Sequence, residues 1–135
     1  MIKRVVANGC DAANRGDLEA MLVLFDRDVE LHVGDTPAAA MVPPDLVGVH
    51  RGHQGYVRVI EAVTETIEDF RLNYEEVTDY GDQLLIACRQ TGRGRLGGVP
   101  YDVPFFQVLR LRDGLVVRQE NFTERDQALR AIERL

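Results

Sequence analysis

The chain has 135 residues, 45% of them hydrophobic, with a formal charge of −6 and a pI of about 5.0. That length suits one domain, 1–135, built on a single core, and the hydrophobic fraction excludes a disordered chain. The acidic balance excludes a nucleic-acid surface, whose affinity comes largely from neutralising phosphates.

In chain order, Ile2, Val5, Val6, Gly9, Cys10 and Ala13 recur at helical spacing and predict a first helix. Asn14-Arg15-Gly16 stops it, with Gly16 able to take the left-handed conformation beyond a helix C-terminus. Asp17 is a good N-cap for a second helix whose apolar face is Leu18, Met21, Leu22 and Phe25. Val29, Leu31 and Val33 alternate with Glu30 and His32, so Asp28–Val33 reads as a short strand. A long loop follows, from Gly34 to about Gly52, with Pro37, Pro43 and Pro44 in it; loops of that length are commonly functional. A third helix is expected from about His53 to Ile67, with Tyr56, Ile60, Val63 and Ile67 on one face. Beyond Asp69 the period becomes two, and Phe70–Tyr80, Gln83–Gly94, Tyr101–Arg112 and Leu115–Thr123 read as four strands. Tyr80-Gly81-Asp82 and Arg112-Asp113-Gly114 are tight hairpin connections. A charged helix, Glu124–Leu135, closes the chain. Helices followed by an antiparallel meander give an α+β fold with helices on one face of the sheet.

Cys10 falls on an apolar helix face and Cys88 inside a strand, so both are expected reduced and buried. The N-terminal apolar run is too short for a signal peptide, and no stretch is long enough to span a membrane. A cytoplasmic protein without membrane or nucleic-acid partners is the expectation.

One residue breaks the pattern. Val103, Phe105, Leu109 and Leu111 share a strand face, and Gln107 lies on that face between two of them. A buried amide without partners costs about 1–3 kcal/mol, so a purely structural sheet would carry leucine there. A polar group in an apolar wall is what a small-molecule pocket uses to orient its ligand.

Several segments together resemble a known family. Asn14-Arg15-Gly16-Asp17-Leu18-Glu19, followed by Leu24-Phe25-Asp26-Arg27-Asp28-Val29, is similar to the opening of the nuclear transport factor two-like superfamily, and more specifically of its SnoaL-like proteins. Arg51-Gly52-His53-Gln54-Gly55, Tyr80-Gly81-Asp82, Val108 to Val116 and Glu120 to Leu129 extend the resemblance over nearly the whole chain. It implies a strongly curved antiparallel sheet wrapped into a cone, three N-terminal helices on its concave face, a short C-terminal helix and a deep, mostly apolar cavity. Members include polyketide cyclases, a ketosteroid isomerase, epoxide hydrolases, dehydratases and non-catalytic proteins, so the fold alone does not settle function. By position, the isomerase's general-base Asp falls at or beside Val33, with Asp35 just beyond. Its oxyanion-hole Asp falls on Gln107 and its first-helix Tyr near Gly9. Steroid isomerisation is therefore not expected.

With Gln107 inward, the next strand directs Val117, Gln119 and Asn121 the same way. On the strand before, Ala87, Arg89 and Thr91 are taken as inward, with Leu84, Ile86 and Cys88 competing for that face. The expected ligand-binding set is Gln107, Asn121, Arg89, Gln119, Tyr56 and Phe105. Arg89 would suit a carboxylate, enolate or phenolate; the alternative is that the polar groups satisfy one another or that Arg89 and Gln119 face solvent. His32, out of phase with its apolar neighbours, should lie on the opposite sheet face. His50 and His53 flank Arg51-Gly52 at the expected mouth and are the candidate acid/base pair, since histidine titrates near neutrality. No metal site and no cofactor are expected, because no third ligand is placed to join those two histidines.

Phe106, Val108 and Phe122 make the outer sheet face apolar as well, so something should cover it. A homodimer through that face is the expectation, with Arg110, Arg118 and Glu120 pairing across a two-fold axis; coverage by the C-terminal helix is the alternative. Two small-molecule functions stay open, beside a pure interaction module, which predicts a cavity filled by side chains. One is cofactor-free acid/base chemistry (isomerase, cyclase, dehydratase or hydrolase) on a small hydrophobic oxygenated molecule. The other is non-catalytic binding of such a molecule.

Overall fold

The computed structural model describes residues 2–34 and 44–133. Its elements are α1 (Ile2–Arg15), α2 (Leu18–Leu22), β1 (Phe25–Val33), β2 (Gly48–Arg51), α3 (Gly52–Thr66), β3 (Ile67–Asp79), β4 (Gln83–Gly94), β5 (Pro100–Arg112), β6 (Leu115–Phe122) and α4 (Arg125–Glu133), with a 3-10 turn at Pro44–Leu46. α1 ends where its sequence requires. Gly16 takes φ +70°, and the Gly16 and Asp17 N–H groups donate to Ala13 and Ala12 carbonyls at 3.1 and 2.9 Å. Asp17 then caps α2, its Oδ1 accepting from the Ala20 N–H at 3.1 Å.

The six strands form one sheet in the order β2-β1-β6-β5-β4-β3. β1 runs parallel to β6, and every other pairing is antiparallel. Irregularities bend the sheet. β3 shifts register against β4 between Glu68 and Arg71 and again between Tyr74 and Glu76, and Asp69 takes φ 54° there. The β5–β6 ladder shifts between Arg110 and Leu111. Such bulges bend a strand and increase its twist. Gly92 lies at the tightest part of the bend, where a Cβ would stand 2.5 Å from Ile67 Cγ2 and 2.9 Å from the Glu68 carbonyl oxygen. At the free edge of β3 the Asn14 side chain acts as a short piece of strand. Its Oδ1 accepts from the Leu72 N–H at 2.6 Å, and its Nδ2 donates to the Leu72 carbonyl at 3.0 Å.

The concave face carries the main core. Val29, Leu84, Ile86, Cys88, Phe105, Leu109 and Val116 pack together with Val6 of α1, each large aliphatic or aromatic side chain contributing about 1.5–3 kcal/mol. A second group, Ala12, Met21, Leu31, Tyr56 and Val59, ties α1, α2 and α3 to β1. The expected α+β architecture, helices on a curved sheet, is what the chain adopts. On the convex face Ala128 and Ala131 of α4 press on Leu85 and Val108, with Phe106 and Phe122 packed at the margin. α4 therefore covers part of the face expected to form a homodimer: Val108 is buried beneath it, and Phe106 and Phe122 stay half-buried.

Three boundaries differ from expectation. β1 begins at Phe25, so Phe25 belongs to a strand and not to the second helix. Ile67 opens β3 instead of ending α3, because the chain passes directly from helix to strand at that residue. The expected long loop contains β2, which pairs with β1 from Gly48↔Val33 to Arg51↔Glu30; residues 35–43 of that loop lie outside the described residues. No helix among the described residues is long and apolar enough to cross a membrane.

Candidate functional site

Strand alternation and the three N-terminal helices leave a cavity of about 330 Å³ over the concave face. Its apolar walls come from Leu18 and Met21 of α2, Val59 and Val63 of α3, Leu72 of β3 and Phe105 of β5, among others. Tyr56 of α3 also lines it, buried to 4% exposure, its ring centroid 4.5 Å from that of Phe25. Burial, with Cys10 nearby, pushes the Tyr56 phenol far above its ordinary range, so it stays a neutral donor.

Gln90, Gln107, Gln119 and Asn121 interrupt the apolar wall. Gln107 stands directly opposite Asn121 across the β5–β6 ladder, while Gln119 pairs with Leu109 and with Leu31 of β1. Gln119 is 7% exposed, and Asn121 Oδ1 is buried without a hydrogen-bond partner. None of these amides makes a side-chain hydrogen bond to another described residue. A buried amide oxygen left unpaired, as Asn121 Oδ1 is, costs about 1–3 kcal/mol. A ligand with a donor would pair it, and the neighbouring amides offer further donors and acceptors to the same occupant.

The expected site residues fall into two groups. Gln107, Gln119, Asn121, Tyr56 and Phe105 come together around the cavity. Arg89 does not, and its assignment is corrected. It lies on the other face of β4, with Nε 3.1 Å from Glu75 Oε1 and a second ion pair to Asp102. The physical reason is that Leu84, Ile86 and Cys88 take the concave face, which turns Ala87, Arg89 and Thr91 away. Val117 is likewise displaced: the register shift puts Val116 in the core instead.

The two candidate catalytic histidines, His50 and His53, stand outside the cavity lining. His50 Nε2 donates to the Leu46 carbonyl at 2.6 Å, and His53 Nε2 donates to the Phe25 carbonyl at 3.0 Å. Both rings hold backbone around β1, β2 and α3, and neither lines the cavity. His32 borders the cavity at the end of β1, but its Nε2 stands 3.0 Å from Glu30 Oε1, on the face away from Leu31. Hydrogen bonds from His32 and then Arg51 hold the Glu30 carboxyl below its usual range. Among the described residues no three His, Cys, Asp or Glu side chains gather as metal ligands would.

Among the polar lining residues, Gln90, Glu61 and Thr64 were not singled out in the sequence. Gln90 had a signal, since it continues the alternation Leu84, Ile86, Cys88 by one step. Glu61 is exposed and falls outside the apolar spacing of α3, while Thr64 shares the face of Tyr56 and Ile60 but is polar, so no apolar pattern marks either.

A family model described as a SnoaL-like domain matches residues 6–119. No curated protein matches the chain. Among solved structures, an NTF2-like protein of unknown function from Burkholderia pseudomallei is 23% identical, with a TM-score of 0.77 over 95% of this chain and 94% of that one. TerC, co-crystallised with polyporic acid, is 21% identical, with a TM-score of 0.76 over 96% of each chain. A protein with a ketosteroid isomerase-like fold from Catenulispora acidiphila, in complex with trimethylamine, is 17% identical, with a TM-score of 0.71 over 93% of this chain and 89% of that one. At these identities the three share the fold with this chain, and the family-model match over residues 6–119 shows that the chain belongs to the SnoaL-like family.

Proposed function

We propose that this protein binds a small, mostly apolar, oxygenated organic molecule in the cavity, and that the amides of β4, β5 and β6 orient it. The observation that carries this reading is the row of unpaired amides, Gln107 and Asn121 face to face with Gln119 beside them, in a wall that is otherwise aliphatic and aromatic. An amide both donates and accepts, so such a row can grip a carbonyl or a hydroxyl without a charge. That TerC was crystallised with polyporic acid and the Catenulispora protein with trimethylamine supports a small organic occupant here.

Cofactor-free acid/base catalysis is the second reading. Glu61 and His32 on the cavity border favour it. Against it, His50 and His53 are committed to backbone carbonyls, and among the described residues no carboxylate stands between the amides. Calorimetric titration with a panel of neutral aromatic ketones tests the first reading: binding is expected in the wild type and at least tenfold weaker in Gln107→Leu. A wild type that takes none of the panel, or a variant that binds the same ketones equally well, overturns it.

A further inference from the structure

We infer that the cavity admits its occupant uncharged and holds an acidic hydroxyl, a phenol or an enol, in its protonated form. This rests on the cavity being the binding site proposed above. The argument is the charge inventory of the wall. Among the described residues no lysine or arginine lines it. α1 and α2 contribute no titratable group, nor do β3, β4, β5 and β6, whose polar lining is amide only. β1 contributes His32, which is engaged by Glu30; that carboxylate is also held by Arg51 at 2.6 Å. α3 contributes Tyr56, a buried neutral phenol, and Glu61, an exposed carboxylate whose sign repels an anion. Residues 35–43, which follow the lining residue Gly34 in sequence, read Asp-Thr-Pro-Ala-Ala-Ala-Met-Val-Pro and include no lysine, arginine or histidine; their one ionisable side chain is the Asp35 carboxylate. The chain as a whole carries −6, a field that disfavours anion entry.

An anion moved into this wall loses its hydration and meets, among the described residues, amide dipoles, the Tyr56 phenol, the Glu61 carboxylate and a His32 ring already engaged by Glu30, so burial favours its protonated form. A neutral hydroxyl loses little, because one amide oxygen can accept its proton while an amide N–H donates to its lone pair. The one arginine that the strand pattern aims toward the site, Arg89, is turned to Glu75 and Asp102 on the outer face.

Three bicyclic probes of similar size test the inference on the full chain: acetylnaphthalene as a neutral ketone, naphthoic acid as a carboxylate, and a nitronaphthol whose phenolate absorbs at longer wavelength than its phenol. At neutral pH the ketone is expected to bind and the carboxylate to bind about tenfold more weakly or less. The bound nitronaphthol is expected to show the phenol spectrum at a pH where the free dye is phenolate. If the ketone binds while the dye is taken up as phenolate, or the carboxylate matches the ketone, the inference fails and the binding site stands. If the ketone does not bind, both fall together.

Discussion

Gln119 is the most deeply buried of the cavity amides, and its substitution separates function from stability. Gln119→Leu removes an unpaired buried amide at similar volume, so the variant should be more stable by about 1 kcal/mol while losing affinity for any ligand that the wild type binds. Thermal melts with and without ligand check both halves. Asn14 is the opposite case. Its side chain pairs with both backbone groups of Leu72, and Asn14→Ala should cost about 1–3 kcal/mol in chemical denaturation because it orphans them. At Glu30 the carboxyl is lowered by His32 and Arg51. A lowered carboxylate contributes stability that is present above its unfolded-state value and is lost as pH falls through its folded-state value. Glu30→Gln should therefore flatten the acid limb of the stability profile and leave the alkaline limb unchanged. At this scale the sequence was partly legible. Gln107 stood out because it broke an apolar alternation. The roles of His50 and His53 did not, because their partners are backbone carbonyls, which every residue carries and no sequence pattern marks.

At the scale of elements, helices and hairpins were read nearly in place, and the errors cluster at bulges. A period of two fixes which residues share a face, but each register shift exchanges the faces beyond it. This is why Val116 replaces Val117 in the core. On β4 both faces are buried in part, Leu84 and Ile86 inside and Leu85 under α4, so alternation alone could not choose between Cys88 and Arg89. β2 escaped notice because a four-residue strand of Gly, Val, His and Arg has no room for a periodic signal. The bend at Gly92 gives a test at this scale. Gly92→Ala would drive a methyl into Ile67 and the Glu68 backbone, and should destabilise by about 1–3 kcal/mol. A substitution with no measurable effect on the denaturation midpoint would show that β3 does not pass as closely there.

For the molecule as a whole, the cone protects its thiols. Burial, aided by the adjacent Asp11 carboxylate, pushes Cys10 up to about 11, and burial pushes Cys88 further. Since thiolate is the reactive form, a disulfide-exchange reagent at neutral pH should titrate neither thiol in the native protein and both in denaturant; rapid reaction of the folded protein would count against this packing. The curved sheet depends on one long-range pairing. β1 sits between β2 and β6, and its parallel partner is the last strand of the sheet. A ribosome delivers β1 long before β6, so the nascent chain must wait with that edge of β1, and Leu31 on it, unpaired. A chain stalled before Leu115 would hold that edge open and be a ready client for a chaperone.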